Sequence, residues 1–545
     1  MQESDPVQVA PVDGAAELEE ARQAYEAGQW SRAEHLCRQL LVRAPRTVEA
    51  LQLLGMLAHT QGRHALALVY LKHALALQPA CGALHRCLGM VYCALDRLAE
   101  AEQHYQWAQR ADPTDAEIAN NLGVVRHLQG ELDGAVEAYR AALQYRPTFA
   151  EAARNLGTAL QAQGHLAQAS AAYRTALALQ PDFASAHNNL AGVLQEQGQP
   201  EAALAHYEAA IRLEPQSPRA QWNRALLWLA QGNLQQGWPA YEWRWQGLQP
   251  LRTWPVPRWD GTPLGQRTLL VWAEQGLGDE ILFASCFPSL LAQGGHCVLE
   301  CEPRLAPLFA RSFPSATVVG SRRDACHWLQ GVPAPDVQIP AGSLPGYLRP
   351  DLESFPTQAG FLRPDPAYVQ QYQQRLQALG PGLKVGISWR SAVLTPQRSP
   401  YYTALEQWQS ILSTPGVHFV NLQYGQCAAE LHMAQTHWGV TLHTWDDLDL
   451  SHDLDQLAGL MSALDLVLAP DNAVTALAGS VGQTVWRLTV AGGAWDRLGT
   501  THSPWFPSLR AVMQQHWGVW DDVLDRIASA LASAVAAGQV RGCVP

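Results

Sequence analysis

The first half of the chain repeats one pattern of small, apolar and polar positions every 34 residues, as from Pro45 to Pro79. Prolines continue the step at Pro113, Pro147, Pro181 and Pro215. Glycines keep it at Gly28, Gly62, Gly130, Gly164, Gly198 and Gly232, with Asp96 in the one interrupted place. Ala33, Ala67, Ala101, Ala135, Ala169 and Ala203 form a third row, and Tyr105, Tyr139, Tyr173, Tyr207 and Tyr241 a fourth. Gly55, Gly89, Gly123 and Gly157 form a fifth, continued by Ala191 and Ala225. The pattern predicts a helix–turn–helix unit. Small residues let two helices approach, glycine ends the first helix, and proline opens the next unit. The tyrosine is expected to fill the gap to the next unit.

A 34-residue period with these positions resembles the tetratricopeptide repeat. Six proline-marked units are in phase, and a less complete seventh runs over 216–249. Such arrays stack into a superhelix whose groove holds a peptide or protein. Asn121, Asn155, Asn189 and Asn223 recur on the first helix of their units. An amide there donates to and accepts from an extended peptide backbone without reading its side chains. The row resembles the asparagine ladder of O-linked N-acetylglucosamine transferase; the alternative is a consensus residue that bonds within the repeats. Leu53 and Cys87 hold the equivalent places, so any ladder covers only the later repeats.

The segment from Gly237 to Gly261 carries Trp238, Trp243, Trp245, Trp254 and Trp259. It reads as an irregular strap sealing the repeats to the next domain. Its YEWRW, followed by Pro257-Arg258-Trp259-Asp260-Gly261, resembles bacterial repeat-fused glycosyltransferases.

From residue 268 the periodicity changes. Thr268 to Ala273 is a buried-strand run, followed by Glu274-Gln275-Gly276-Leu277-Gly278-Asp279, a helical stretch to about Ala292, and a strand over His296 to Cys301. That is a βαβ unit. A second series starts at Lys384–Trp389 and continues with strands near Val417–Gln423 and Leu464–Ala469. The proline-rich run over 331–366 reads as irregular connection. Two Rossmann-like lobes with a cleft between them are expected. Gly276-Leu277-Gly278, with Glu300 further on, starts like a dinucleotide fingerprint, but Ile281 stands in the third glycine position and Asp279 would repel a pyrophosphate. No G-x-x-x-x-G-K-[ST] occurs.

Composition narrows the classes. With 545 residues, 48% hydrophobic and 16% charged, the chain has material for several cores and is no disordered polymer. A net charge of −12, with Lys72 and Lys384 the only lysines, argues against nucleic acid or an anionic membrane as main partner. The acidic start has no signal-peptide core and no run spans a membrane, so a cytoplasmic location is expected. The ten cysteines lack zinc-site spacing and read as buried free thiols.

Gly278-Asp279 at a helix head, with Pro288 beyond it, resembles the heptosyltransferase-like GT-B family. That resemblance implies Asp279 as general base on the acceptor, and a helix N-terminus is expected to lower its pKa and keep it ionised. Asp471-Asn472-Ala473-Val474-Thr475, opening a small-residue helix, resembles the donor-phosphate turn of the same family, with its amides free to hold a phosphate. Ala476 stands where that family carries histidine. Ser388, Arg390 and Arg398 are expected to supply positive or polar contacts to the donor, Gln423 and Tyr424 to touch its base, and Gly276 and Gly278 to border it. Asp447-Leu448-Asp449 has metal-motif letters but lies in an acidic loop. Neither metal nor cofactor is expected; the donor is a nucleotide-activated sugar. Trp495-Asp496-Arg497-Leu498-Gly499-Thr500 and Ser503-Pro504-Trp505-Phe506-Pro507 resemble flagellin-modifying glycosyltransferases with N-terminal repeats.

The expected organisation is a flexible N-terminus over 1–14, repeats over 15–249, a joint over 250–266, an acceptor-side lobe over 267–380, a donor-side lobe over 381–537 and a tail over 538–545. The expected fold is thus an α superhelical tetratricopeptide array followed by an α/β GT-B glycosyltransferase. The expected function is metal-independent transfer of a sugar to Ser or Thr of a surface protein, flagellin first, held by the repeats. The alternatives are a heptosyltransferase-like enzyme acting on lipopolysaccharide or another glycan, and a non-catalytic repeat scaffold.

Overall fold

The computed structural model describes residues 14–247, 252–322, 327–392, 395, 398–492 and 494–540. Nearly all of the expected flexible N-terminus and most of the tail lie outside them. The described chain divides into two compact units, 1–182 and 183–545.

The first unit is helical throughout. Its antiparallel pairs are α1 (Ala15–Glu26) with α2 (Trp30–Arg43), α3 (Val48–Thr60) with α4 (His64–Leu77), α5 (Gly82–Ala94) with α6 (Leu98–Ala111), α7 (Ala116–Gln129) with α8 (Leu132–Tyr145), and α9 (Ala150–Ala162) with α10 (Leu166–Leu179). The turn glycines take the left-handed conformation, with φ from +70° at Gly28 to +84° at Gly130, and Asp96 takes it too, at +57°. The 34-residue rows are therefore explained by geometry at each turn. The tyrosines sit where the glycine row leaves space. A Cβ on Gly123 would lie 2.7 Å from the Tyr139 ring, and one on Gly157 equally close to Tyr173. Each ring packs against the glycine of its own helix pair, and Tyr105 also joins the buried cluster that holds Leu122 and Val125 of the next pair.

The second unit begins with two further pairs, α11 (Ala184–Glu196) with α12 (Pro200–Leu213) and α13 (Pro218–Ala230) with α14 (Leu234–Tyr241). Two parallel sheets follow. The first lobe contains β1 (Thr268–Trp272), α15 (Leu277–Ala284), α16 (Phe287–Leu291), β2 (His296–Cys301), α17 (Ala306–Ser312), β3 (Thr317–Gly320), β4 (Val337–Pro340) and α18 (Pro345–Leu348). Its strand order is β3-β2-β1-β4. After α19 (Pro366–Gln377), the second lobe runs through β5 (Leu383–Ile387), α20 (Gln409–Leu412), β6 (Val417–Asn421), α21 (Ala428–Trp438), α22 (Leu454–Ala463), β7 (Leu466–Pro470), α23 (Ala473–Ser480), β8 (Val485–Thr489), β9 (Leu509–Met513) and α24 (Asp521–Ala537). Its order is β6-β5-β7-β8-β9. These are doubly wound orders, with reversals beside β1 and β5, and ligands sit at the C-terminal strand ends by such reversals. The run over 331–366 is not wholly irregular: it holds β4, whose Val337 and Ile339 are buried against β1.

The tryptophan joint is a strap within this unit. Trp259 donates its backbone N–H to the Gln338 carbonyl at 2.8 Å, covering the open edge of β4. Trp238 donates from Nε1 to the Arg349 carbonyl at 2.9 Å and packs edge-on against Trp495 and Trp505. Gly232 and Gly499 let the turn after α13 touch the loop at Leu498, since a Cβ on Gly232 would come within 2.9 Å of the Leu498 carbonyl oxygen. The lobes are bridged by Arg311, which meets both carboxylate oxygens of Asp455 at 2.7 and 2.6 Å. Among the described residues no helix is long and apolar enough to cross a membrane. The described cysteines are free, and burial pushes the Cys297 thiol up to about 12.

Replacing Gly157 with valine should overpack the Tyr173 ring and cost about 1–3 kcal/mol. Urea unfolding followed by circular dichroism measures it. Ala191 already stands opposite Tyr207 at this register, so Gly157→Ala should cost clearly less.

Candidate functional site

A cavity of about 520 Å³ lies at the C-terminal strand ends between the two lobes, a size fit for a small organic ligand. The first lobe contributes the turn after β1. Gln275 there sits at φ +59°, and Gly276 opens α15. Asp279 is the third residue of that helix and lines the cavity. Its Oδ2 accepts the Gly276 backbone N–H at 3.1 Å. Gly278 faces the start of α23: a Cβ there would lie 3.7 Å from the Ala473 Cα. The two helix starts thus converge on one cleft.

The electrostatics of Asp279 run opposite to expectation. Burial pushes its carboxyl up to about 6; the Gly276 N–H opposes this, while Asp471, Glu274 and Asp496 add to it by repulsion. Desolvation and three neighbouring acids outweigh the helix end.

The second lobe contributes Asp471 to Thr475, Tyr424, Arg398 and Tyr402. Asn472 caps α23: its Oδ1 accepts the N–H groups of Val474 and Thr475 at 3.0 and 3.4 Å. Amides expected to await a phosphate are therefore taken up by the helix's own cap. Asn472 Nδ2 also donates to Ser388 Oγ at 3.2 Å. Ser388 and Gln423 lie beneath the cavity wall. Gln423 Oε1 accepts from Ser388 Oγ at 3.1 Å and from the Trp389 and Arg390 N–H groups at 3.0 Å, tying the ends of β5 and β6. Arg390 turns toward α21, with its Nε 3.1 Å from Glu430 Oε1. Arg398 lines the cavity and donates to the Tyr402 hydroxyl at 2.9 Å. Ala476 lines it too and is buried.

Sequence reasoning missed Arg487 and Asp496. Arg487, on β8, is 2% exposed and lines the cavity. It meets Asp496 Oδ2 at 2.6 Å and Asp471 Oδ1 at 3.5 Å. The signal was a lone charge inside the apolar run VWRLT, since a buried charge needs a partner. Glu300 is no ribose ligand: Arg252 Nη2 and the Ala273 N–H bond it at 3.0 and 3.2 Å. Asp447 pairs with Arg375, and Asp449 caps its own loop at Ser451 and His452.

Three of the four row asparagines bond Asn120 and Asn188 rather than one another. In the first unit, Asn155, which is buried, donates to Asn120 Oδ1 at 2.9 Å. In the second unit, Asn223 donates to Asn188 Oδ1 at 3.1 Å, and Asn189 accepts from Asn188 at 3.4 Å. Asn121, Asn189 and Asn223 remain partly exposed.

The family described as "TPR repeat" matches residues 125–164 and 159–198, and that described as "Tetratricopeptide repeat" matches 18–80 and 193–242. The helix pairs are therefore tetratricopeptide repeats. The chain is 40% identical over 322 residues to "Protein FlbA" of Caulobacter vibrioides, covering 56% of this chain and 54% of that protein. It thus spans about half the length of the curated relative it matches. Among solved structures it is similar to PilF of Pseudomonas aeruginosa, at 19% identity and TM-score 0.36, covering 39% of this chain and 96% of that one. It is also similar to the Cut9–Hcn1 tetramer of the APC/C, at 20% identity and TM-score 0.37, covering 40% and 43%.

Because the Asp279 carboxyl sits at about 6 in the fold against its ordinary 3.8, its ionised form is disfavoured by folding. The cost is complete above about pH 6, shrinks between the two values and is gone below about pH 4. Asp279→Asn should therefore be more stable than the parent at pH 8, by about 3 kcal/mol, with the gain vanishing by pH 4. Denaturant titrations at both pH values measure it.

Proposed function

We propose that the protein is a GT-B-type glycosyltransferase that moves a sugar from a nucleotide-activated donor to a Ser or Thr of a protein held by its repeats. The carrying observation is Asp279: a carboxylate on one lobe, with a pKa of about 6, facing the Asp471–Thr475 turn of the other across a ligand-sized cavity. A base of that strength is mostly ionised at neutral pH and more basic than an ordinary aspartate. It takes the proton of the acceptor hydroxyl. The hydroxyl oxygen bonds to the anomeric carbon as the bond from that carbon to the leaving phosphate oxygen breaks, and the departing nucleotide carries the electron pair. Arg398, Tyr402 and Tyr424 suit the donor side by charge and stacking, without a metal. The tetratricopeptide repeats support a protein acceptor, and the Trp495–Pro507 resemblance favours flagellin, modified in the cytoplasm.

One observation favours a second reading. The amides of Val474 and Thr475 are occupied by Asn472, and Ala476 offers no cation. A repeat scaffold without transfer would need neither.

Intact-mass analysis of acceptors, flagellin first, co-expressed with wild type or Asp279→Asn decides between them. A sugar-sized gain with wild type, reduced about 100-fold or more in the variant, is expected. A gain that persists in the variant removes Asp279 from the chemistry. No gain on any surface protein favours the scaffold, or a glycan acceptor.

A further inference from the structure

The turn that presents Asp279 is held from the repeat side. Glu274 ends the run of β1, and Gln275 follows in the left-handed region at φ +59°, which side-chain-bearing residues resist. Two residues at the end of the last helix pair hold these two. Arg244 brings Nε and Nη2 to the two Glu274 oxygens at 2.9 and 2.8 Å. The Tyr241 hydroxyl accepts from Gln275 Nε2 at 2.7 Å. Arg244 is wholly buried and Glu274 nearly so. Arg244 also donates to Ser343 Oγ at 2.9 Å, and Glu274 Oε1 also accepts the Gly342 N–H at 2.7 Å. Tyr241, Arg244 and Glu274 stand behind the cavity lining, not in it.

A buried ion pair is a poor way to gain stability, since apolar packing does as well without the desolvation cost. What it gives is direction. A planar guanidinium gripping both carboxylate oxygens fixes where Glu274 points, and so where the chain leaves β1.

We propose that Tyr241 and Arg244 are positioning residues for the Gly276–Asp279 turn: they hold Glu274 and Gln275 in the backbone path that starts α15 with Asp279 facing the cavity. The exit of the last repeat pair is then part of the reaction site. What Asp279 does there rests on the proposed function; the hold on the turn does not.

Hydrogen–deuterium exchange on the full chain tests this with wild type, Tyr241→Phe and Arg244→Lys. Tyr241→Phe removes one hydroxyl and leaves the ring to pack on Trp238 and Trp495. Arg244→Lys keeps the charge but loses the two-point grip. Exchange over 274–282 should quicken about fivefold or more in both variants. The Gly342 segment should quicken in Arg244→Lys alone, and α23 should not change. Unchanged exchange over 274–282 overturns the proposal. Quickening spread through β2 and β7 also overturns it, because that marks general loosening. With an active acceptor, kcat should fall in Tyr241→Phe while KM for the donor holds. If wild type transfers nothing yet the turn alone quickens, the positioning role stands and the transferase reading fails.

Discussion

A charge placed inside a protein must be answered, and Arg244 is the charge around which the second unit is arranged. Its guanidinium reaches Glu274 at the end of β1, Ser343 after β4, and Glu242 and the Tyr241 carbonyl of its own segment. Glu274 and Ser343 come from different parts of the chain. The pair is satisfied only when the joint, the first sheet and the segment after β4 are all in place. The rings of Tyr241 and Trp245 cover the guanidinium faces, with centroids 4.4 and 4.5 Å away.

The same logic governs the cleft. Asp279, Asp471 and Asp496 share it with Arg304, Arg398 and Arg487. Arg487 is committed to Asp496, so little of its charge reaches Asp279, and the remaining repulsion joins desolvation in raising that carboxyl. A helix start alone would have done the reverse. The acid therefore sits at about 6 first because it is buried, with repulsion from Glu274 of its own lobe and from Asp471 and Asp496 of the opposite one added.

The repeats are built on a simpler rule. A missing side chain at Gly89, Gly123 and Gly157 admits the tyrosine ring of the facing helix, and a left-handed turn lets the chain double back. Asparagines then bond across neighbouring pairs, Asn155 to Asn120 and Asn223 to Asn188. These bonds use one amide proton each of Asn155 and Asn223, while the Asn189 carbonyl oxygen accepts from Asn188.

The sequence by itself determined what depends on near neighbours: the helix pairs, their turns, the strands β1, β2, β5, β6 and β7, and the glycine turn with Asp279. Each is written in a period or run of a few residues. Tertiary structure decided the rest. β3 and β4 are only four residues long, and β8 and β9 carry Arg487 and Arg510 inside their apolar runs, so none stands out from loops until a neighbour pairs with it. Asn472 looked like a phosphate-turn residue, and only the folded cap shows its side chain on the Val474 and Thr475 amides. Arg244 and Arg487 were legible as arginines in apolar company, but their partners lie 30 and 9 residues away. The tyrosine row was legible as a row, but not which helix it closes upon. Local pattern fixes which groups the backbone can present; burial, approach and charge neighbours, which set what those groups do, arise only when distant segments meet.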